Sequence, residues 1–365
     1  MLFYFTFFIL LALCSIVEVY FSKNKKDVWL IYYNFLIVIF LLATFKARGL
    51  GTDMAAYENF FKTRERLFQP SEFEFLFARF NEIVKLATNS YVLLLAIQAM
   101  IIYKLQDCVV KRWSIYPLTS LFYMWAINAD YIYFVRQIVA CYILFYSIFF
   151  IADRKFFKFI LLVILATSIH ISSVVFLPAY SIWKWKPRKT TYIILFSICV
   201  LFLPILFGKI IQVVIIALHF PAIIQQKVEI YFVNPTEYAK NLLALVKGII
   251  NQGFLLFVLL LDFNKYKRIQ KDFVGLFNIA WLGAVIFCSA LPIHIQIARF
   301  AYSYMLVYMI LLPAVAKVRF NNKNTGLLSF IIILYYLGFR QLSFVLTSAP
   351  ETLYHFVDSS QKLGY

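Results

Sequence analysis

Arg136 carries a permanent positive charge inside an otherwise almost wholly apolar stretch, Tyr131 to Phe150. A guanidinium at the depth of a bilayer's hydrocarbon is costly, so it normally faces a cavity, a partner or a substrate. In Asn128-Ala-Asp-Tyr-Ile-Tyr-Phe-Val-Arg136 the charge is expected about one and a half turns inside its helix. There it needs an anion: Asp130, another acidic side chain, or a substrate phosphate, whose oxygens suit the rigid guanidinium fork. The competing reading is a structural ion pair that holds a short hairpin. About thirty residues later, His170 interrupts the next apolar run within the hydroxyl-rich segment Ala166-Thr-Ser-Ile-His-Ile-Ser-Ser173. Imidazole titrates near neutral pH unaided, so a general base, a hydrogen bond to substrate and a merely structural group are all open readings.

Other candidates have the same character. In Lys46-Ala-Arg-Gly-Leu-Gly-Thr-Asp-Met-Ala-Ala-Tyr57, the two glycines permit tight backbone and Thr52 or Asp53 can cap a helix running to Phe61. A helix N-terminus beside Arg48 is a ready anion site, and equally an ordinary capped turn. From Phe73 to Val84, apolar residues recur at helical spacing with Glu74, Arg79 and Glu82 between them. This reads as an amphipathic helix on the membrane or capping the bundle, with Glu72 and Glu74 as weaker carboxylate candidates. Arg299 opens a further apolar run, with His294 just before it. The sequence has no DxD, no HExxH and no paired His and carboxylate, so the expected chemistry is metal-independent and needs no cofactor.

These residues must be positioned by a membrane bundle. The chain is 63% hydrophobic and 14% charged, with a mean hydropathy of +0.82. Soluble domains hold about 45–50% apolar and about 25% charged residues. No repeat, linker or soluble domain stands out, and residues 1–365 read as one integral-membrane domain. The first run, Met1 to Phe21, lacks a basic leader and a cleavage site and reads as a retained helix. The five cysteines have no CxxC or metal spacing and read as packing residues.

The net charge of +18 could suggest nucleic acid, but its distribution argues against that. Basic clusters at Lys23–Lys26, Lys104–Arg112, Arg154–Lys158, Lys184–Lys189, Lys265–Lys271 and Lys317–Lys323 each lie between two apolar runs. That is the positive-inside pattern, and it requires an even number of crossings between successive clusters. The apolar runs supply pairs at about 28–45 with 90–105, 115–128 with 131–151, 157–169 with 171–183, 190–207 with 242–262 and 273–291 with 299–316. A first and a last span complete an all-α bundle of about 10–12 transmembrane helices. Two hairpins use runs too short to cross comfortably, and those segments are expected to be tilted, broken or partly re-entrant.

This topology places the segments 46–89 and 208–241 outside, as amphipathic or interfacial elements. It brings Arg48, Asp53, Arg136, His170 and Arg299 to the same external face. Three arginines there oppose the usual bias, and a lipid-borne phosphate or pyrophosphate would account for them.

The order and spacing of these elements resemble the EpsG family of bacterial polysaccharide polymerases, often described as Wzy-like O-antigen polymerases. The resemblance is carried by Arg48-Gly-x-Gly-Thr-Asp53-x-x-x-Tyr57, Glu74-Phe-Leu-Phe77, Arg136-Gln137-x-x-Ala140, the tip around His170, and Arg299 beside Tyr302. It is densest from about 46 to 183 and rests mainly on hydropathy in the C-terminal third. It implies a multi-pass protein of the bacterial inner membrane, with the bilayer and an undecaprenyl-pyrophosphate-linked oligosaccharide as partners. A chain-length regulator protein joins that set of expected partners.

The implied activity is that of a glycosyltransferase for O-antigen or exopolysaccharide synthesis. A hydroxyl of one repeat unit attacks the anomeric carbon of another, and lipid pyrophosphate leaves. Arg136 and Arg299, then Arg48, with Gln137 beside them, are the implied pyrophosphate and glycan contacts, while Asp53 and His170 compete as base. A flippase for the same lipid-linked unit and a membrane acyltransferase with His170 as base are the alternatives.

Overall fold

The computed structural model describes residues 2–21, 24–45, 54–128, 135–217, 242–319 and 338. The described residues are mostly helical, with no strand among them, and the fold is an all-α polytopic membrane bundle. The chain divides into two compact units, Met1–Val174 with Tyr308–Tyr365, and Val175–Val307.

The first unit is built around α6 (Pro117–Asn128), every residue of which is buried. A helix that is apolar all round has no face to give to water and must be covered on every side. Its neighbours are α1 (Leu2–Tyr20), α2 (Lys25–Thr44) and the returning α16 (Tyr308–Arg319). Buried Glu18 of α1 accepts hydrogen bonds from the Leu118 and Thr119 amides, at 3.2 and 2.7 Å, and so satisfies orphan donors at the start of α6. Next in the layer, α5 (Tyr91–Trp113) packs on α2 and on α7 (Arg136–Ala152), which packs in turn on α8 (Phe156–Thr167). Ser90 caps α5 through the Leu93 amide, and Lys111 and Arg112 complement its negative C-terminal end.

The turn between α7 and α8 sets where the chemistry sits. Arg154 adopts the left-handed conformation at φ 56°. The Lys155 amide donates to Phe150 O (2.8 Å) and the Arg154 amide to Ile151 O (3.2 Å), closing a Schellman motif. The chain therefore reverses at the basic residues, and the start of α7 lies at the same end of the hairpin as the finish of α8. Two short helices, α3 (Met54–Lys62) and α4 (Phe75–Ala87), pack on each other and on α5.

The second unit is built around α13 (Phe273–Ala290), against which α9 (Pro178–Ile182), α10 (Lys189–Ala217), α11 (Leu242–Leu261), α14 (Ile295–Ala298) and α15 (Tyr302–Met305) pack; α12 (Phe263–Ile269) also touches it. A side chain at Gly275 would collide with the Trp183 ring and one at Gly283 with Tyr304, so both glycines permit close helix approach. Wholly buried Asn278 donates to Ile182 O (2.7 Å) and Trp185 O (2.8 Å) and accepts from the Tyr192 hydroxyl. One amide thereby fixes the basic turn after α9 against the first half of α13.

Several expected spans take a different local form. The run 171–183 is a 3-10 turn, Ile171–Phe176, followed by the five-residue α9, because Pro178 cannot continue an amide ladder. The run 299–316 divides into a 3-10 turn, Arg299–Ala301, then α15 and α16. Among the described residues three helices, Lys25–Thr44, Tyr91–Trp113 and Phe273–Ala290, are long and apolar enough to cross a membrane. The count reaches 5 if Gly248–Leu261 with Phe263–Ile269, and Ile295–Met305 with Tyr308–Val318, each form one broken span. Further apolar helices of 10–17 residues, Arg136–Ala152 and Phe156–Thr167 among them, are shorter. The expected last span, about 326–346, lies almost wholly outside the described residues, as does 218–241.

Candidate active site

The end of the α7–α8 hairpin away from its basic turn brings together Arg136, His170 and Glu74, three of the residues that the sequence singles out. Arg136 is the first residue of α7 rather than one and a half turns within it, and residues 131–134 lie outside the described set. A cation at this position adds to the partial positive charge of the helix N-terminus, so the local field favours an anion. Its guanidinium carbon lies 4.9 Å from the ring centre of Phe73, 5.8 Å from Tyr57 and 5.9 Å from Phe77. These rings come from α3, from the segment before α4, and from α4 itself. They hold the planar cation through the attraction of the aromatic quadrupole.

The anion that Arg136 requires is Glu74. Its Oε2 accepts from Arg136 Nη1, while Oε1 accepts from the Ile171 amide at 2.9 Å. His170 Nδ1 stands 3.8 Å from the same Oε1, too far for a hydrogen bond and near enough for an ion pair once the imidazole is protonated. The position of Glu74 is fixed by main chain as well, since the Leu76 amide donates to Ser168 O at 2.8 Å and straps the start of α4 to the end of α8. A guanidinium, a carboxylate and an imidazole from three separate segments thus meet at one spot. The side chains of Arg136, Glu74 and His170 keep 17%, 18% and 20% of their exposure, so the group is neither sealed in the core nor loose on the surface.

The remaining charges of α4 do other work. Arg79 pairs with buried Glu82 at 2.7 Å, donates to Gln69 O and lies over the Phe68 ring, and Glu82 also accepts from the Phe68 amide. They hold the 63–74 loop on the helix. Phe75, Ile83 and Leu86 are left exposed, so α4 presents an apolar face outward, as an interfacial helix requires.

Of the residues proposed from sequence, Arg136 and His170 are brought together through Glu74. Gln137 follows on α7 and is half-buried. Arg48 and Asp53 lie outside the described residues. Arg299 belongs to the second unit, in the 3-10 turn Arg299–Ala301. Nearby, His294 Nδ1 accepts from the Gln296 amide at 3.1 Å and caps the short α14. Burial first, and the Arg299 cation second, hold the His294 imidazole below its ordinary basicity. Since Nδ1 accepts that hydrogen bond, a neutral His294 carries its proton on Nε2.

Glu74 is the residue that sequence reasoning undervalued. It is 62 residues from Arg136 and 97 from Ile171, so no local spacing links them. The available signal was the unmet need of Arg136 for a counter-ion.

Chemically, such a group can bind an anionic oxygen at the guanidinium and accept a proton at the imidazole beside it. The model of the EpsG family matches residues 29–356, nearly the whole chain. The chain belongs to the EpsG family. EpsG family members are Wzy-like polymerases, so the chain is a membrane-embedded protein of the polysaccharide-polymerase type, a glycosyltransferase-like class of enzyme. No curated protein and no solved structure matches it significantly.

Proposed function

We propose that this EpsG-family chain joins oligosaccharide repeat units carried on undecaprenyl pyrophosphate, at the external face of the bacterial cytoplasmic membrane. The product is a growing O-antigen or exopolysaccharide. The observation that carries this reading is the meeting of Arg136 and His170 on one carboxylate, at the hairpin end opposite the Arg154 turn.

In the reaction, the acceptor hydroxyl oxygen bonds to the anomeric carbon of the donor unit. The bond from that carbon to the pyrophosphate oxygen breaks, and its electron pair leaves on the lipid pyrophosphate. Arg136 stabilises the charge developing there, and the start of α7 adds its partial positive charge. His170 takes the hydroxyl proton. Asp53 serves as an orienting group for the sugar or for Arg48. The chemistry uses charge and proton transfer by side chains and runs without metal.

The test is a vesicle reconstitution with labelled lipid-linked repeat units and no acyl donor. The expected result is a ladder of lengthened glycans with matching release of undecaprenyl pyrophosphate. Units moved across the bilayer without lengthening would overturn the reading in favour of a flippase. Modification only when an acyl donor is added would overturn it in favour of an acyltransferase.

A further inference from the structure

We propose that Glu74 is the resident anion of the Arg136 site: it holds the guanidinium until substrate pyrophosphate displaces it, and its released charge then serves His170. This rests on the reading of Arg136 and His170 given above. It makes Glu74 a positioning residue that couples the arrival of the leaving group to activation of the base.

The geometry supplies each part. Glu74 engages Arg136 through Nη1, and Nε of Arg136 is buried with no hydrogen-bond partner among the described residues, so donors remain for a second anion. The guanidinium is held independently by the rings of Phe73, Tyr57 and Phe77, so it need not follow the carboxylate when the two separate. The carboxylate is held independently too, by the Ile171 amide at 2.9 Å on the oxygen that faces His170. Exchange of partners therefore needs only a small movement of one carboxylate oxygen. While paired with Arg136, the charge of Glu74 is largely neutralised. Once pyrophosphate occupies Arg136, a nearby uncompensated anion favours the protonated imidazole, which strengthens His170 as a proton acceptor. The base is thus strongest when a donor is in place, and the resting site is guarded against pairing with stray anions.

A simple strut makes the opposite prediction for one measurement. Neutralising a competing internal anion improves binding of an external one, whereas removing a strut weakens binding and turnover together. We therefore expect purified Glu74→Gln to bind inorganic pyrophosphate and undecaprenyl pyrophosphate about three- to tenfold more tightly by calorimetry. Its kcat for lengthening lipid-linked repeat units should fall about 10²-fold. Glu74→Asp, which keeps the charge on a shorter arm, should recover much of the lost kcat. Binding by Glu74→Gln that equals or falls below that of the natural protein overturns the proposal. If that variant does not fold, Glu74→Asp carries the test, and a kcat as low as that of a His170 variant overturns it. Arg136→Lys separates this proposal from the reading beneath it. If Arg136→Lys abolishes pyrophosphate binding but Glu74→Gln fails to improve it, only the role of Glu74 falls. If Arg136→Lys leaves binding untouched, the assignment of Arg136 to pyrophosphate falls first.

Discussion

The α7–α8 hairpin ends in two arginine–carboxylate pairs that look alike on paper and differ in what surrounds them. At the turn, Arg112 of α5 pairs with Asp153 at 2.5 Å, stacks over Trp113 and Phe149, and shares the carboxylate with Lys155 at 3.6 Å. At the open end, Arg136 pairs with Glu74, which is held by a backbone amide and faces a histidine. Excess cation surrounds the first carboxylate, and its pair fastens two helices where the chain reverses. The second carboxylate is divided between a cation and a titratable base, and its pair sits at a positive helix end where another anion is welcome. An ion pair becomes a candidate for chemistry through its third partner, and its mere presence says little.

Four measurements can break or sharpen this comparison. Arg136→Lys should lower polymer formation by about 10²–10³-fold while the protein inserts at its normal level, because an ammonium lacks the fork that spans two phosphate oxygens. Long polymer at natural chain length in that variant would erase the difference between the two ends. His170→Gln should cut kcat by about 10²-fold or more with little change in pyrophosphate binding. A parallel loss of binding would make His170 part of the anion pocket instead.

At the other end, Arg112→Ala should leave polymerisation within about twofold and cost roughly 1 kcal/mol of stability, read as a small fall in melting temperature. Loss of activity out of proportion to that fall would show that the two ends are coupled. The smallest effect concerns pH. The hydrogen bond from Arg112, ahead of the other contributions, holds the Asp153 carboxyl below its ordinary value of 3.8. A depressed folded-state value means stabilisation that is complete above the ordinary value and is lost as pH falls through the lowered one. The melting-temperature difference between the natural protein and Asp153→Asn should therefore be flat near neutrality and shrink below about pH 4. A difference unchanged down to acid pH would remove Arg112 as the cause.

Much of this was legible in the chain. The basic clusters mark turns because lysine and arginine resist crossing hydrocarbon, and that placed the start of α7 and the tip after α8 at one end. Arg136 and His170 were legible as oddities because apolar surroundings make any charge or imidazole costly. Glu74 was not, since it lies in an amphipathic segment where acidic residues are ordinary. Glu82, eight positions on, looks equivalent in sequence, yet it is buried and spent on Arg79 and the Phe68 amide. The break at Pro178 was anticipated only as shortness of the apolar run 171–183, whereas the one before Tyr308 falls in a run, 299–316, that reads as an ordinary span.

By itself, then, the sequence determined the solvent of this protein, its helical class, and the need of Arg136 for an anion, because each follows from the cost of placing particular groups in hydrocarbon. Only the tertiary structure decided which anion answers that need. Glu74 and Arg136 are distant in sequence, and their meeting depends on the Schellman turn at Arg154 and on the Leu76–Ser168 strap. Local propensities fix helices one at a time, whereas the pairing of charges between helices is settled by how those helices pack.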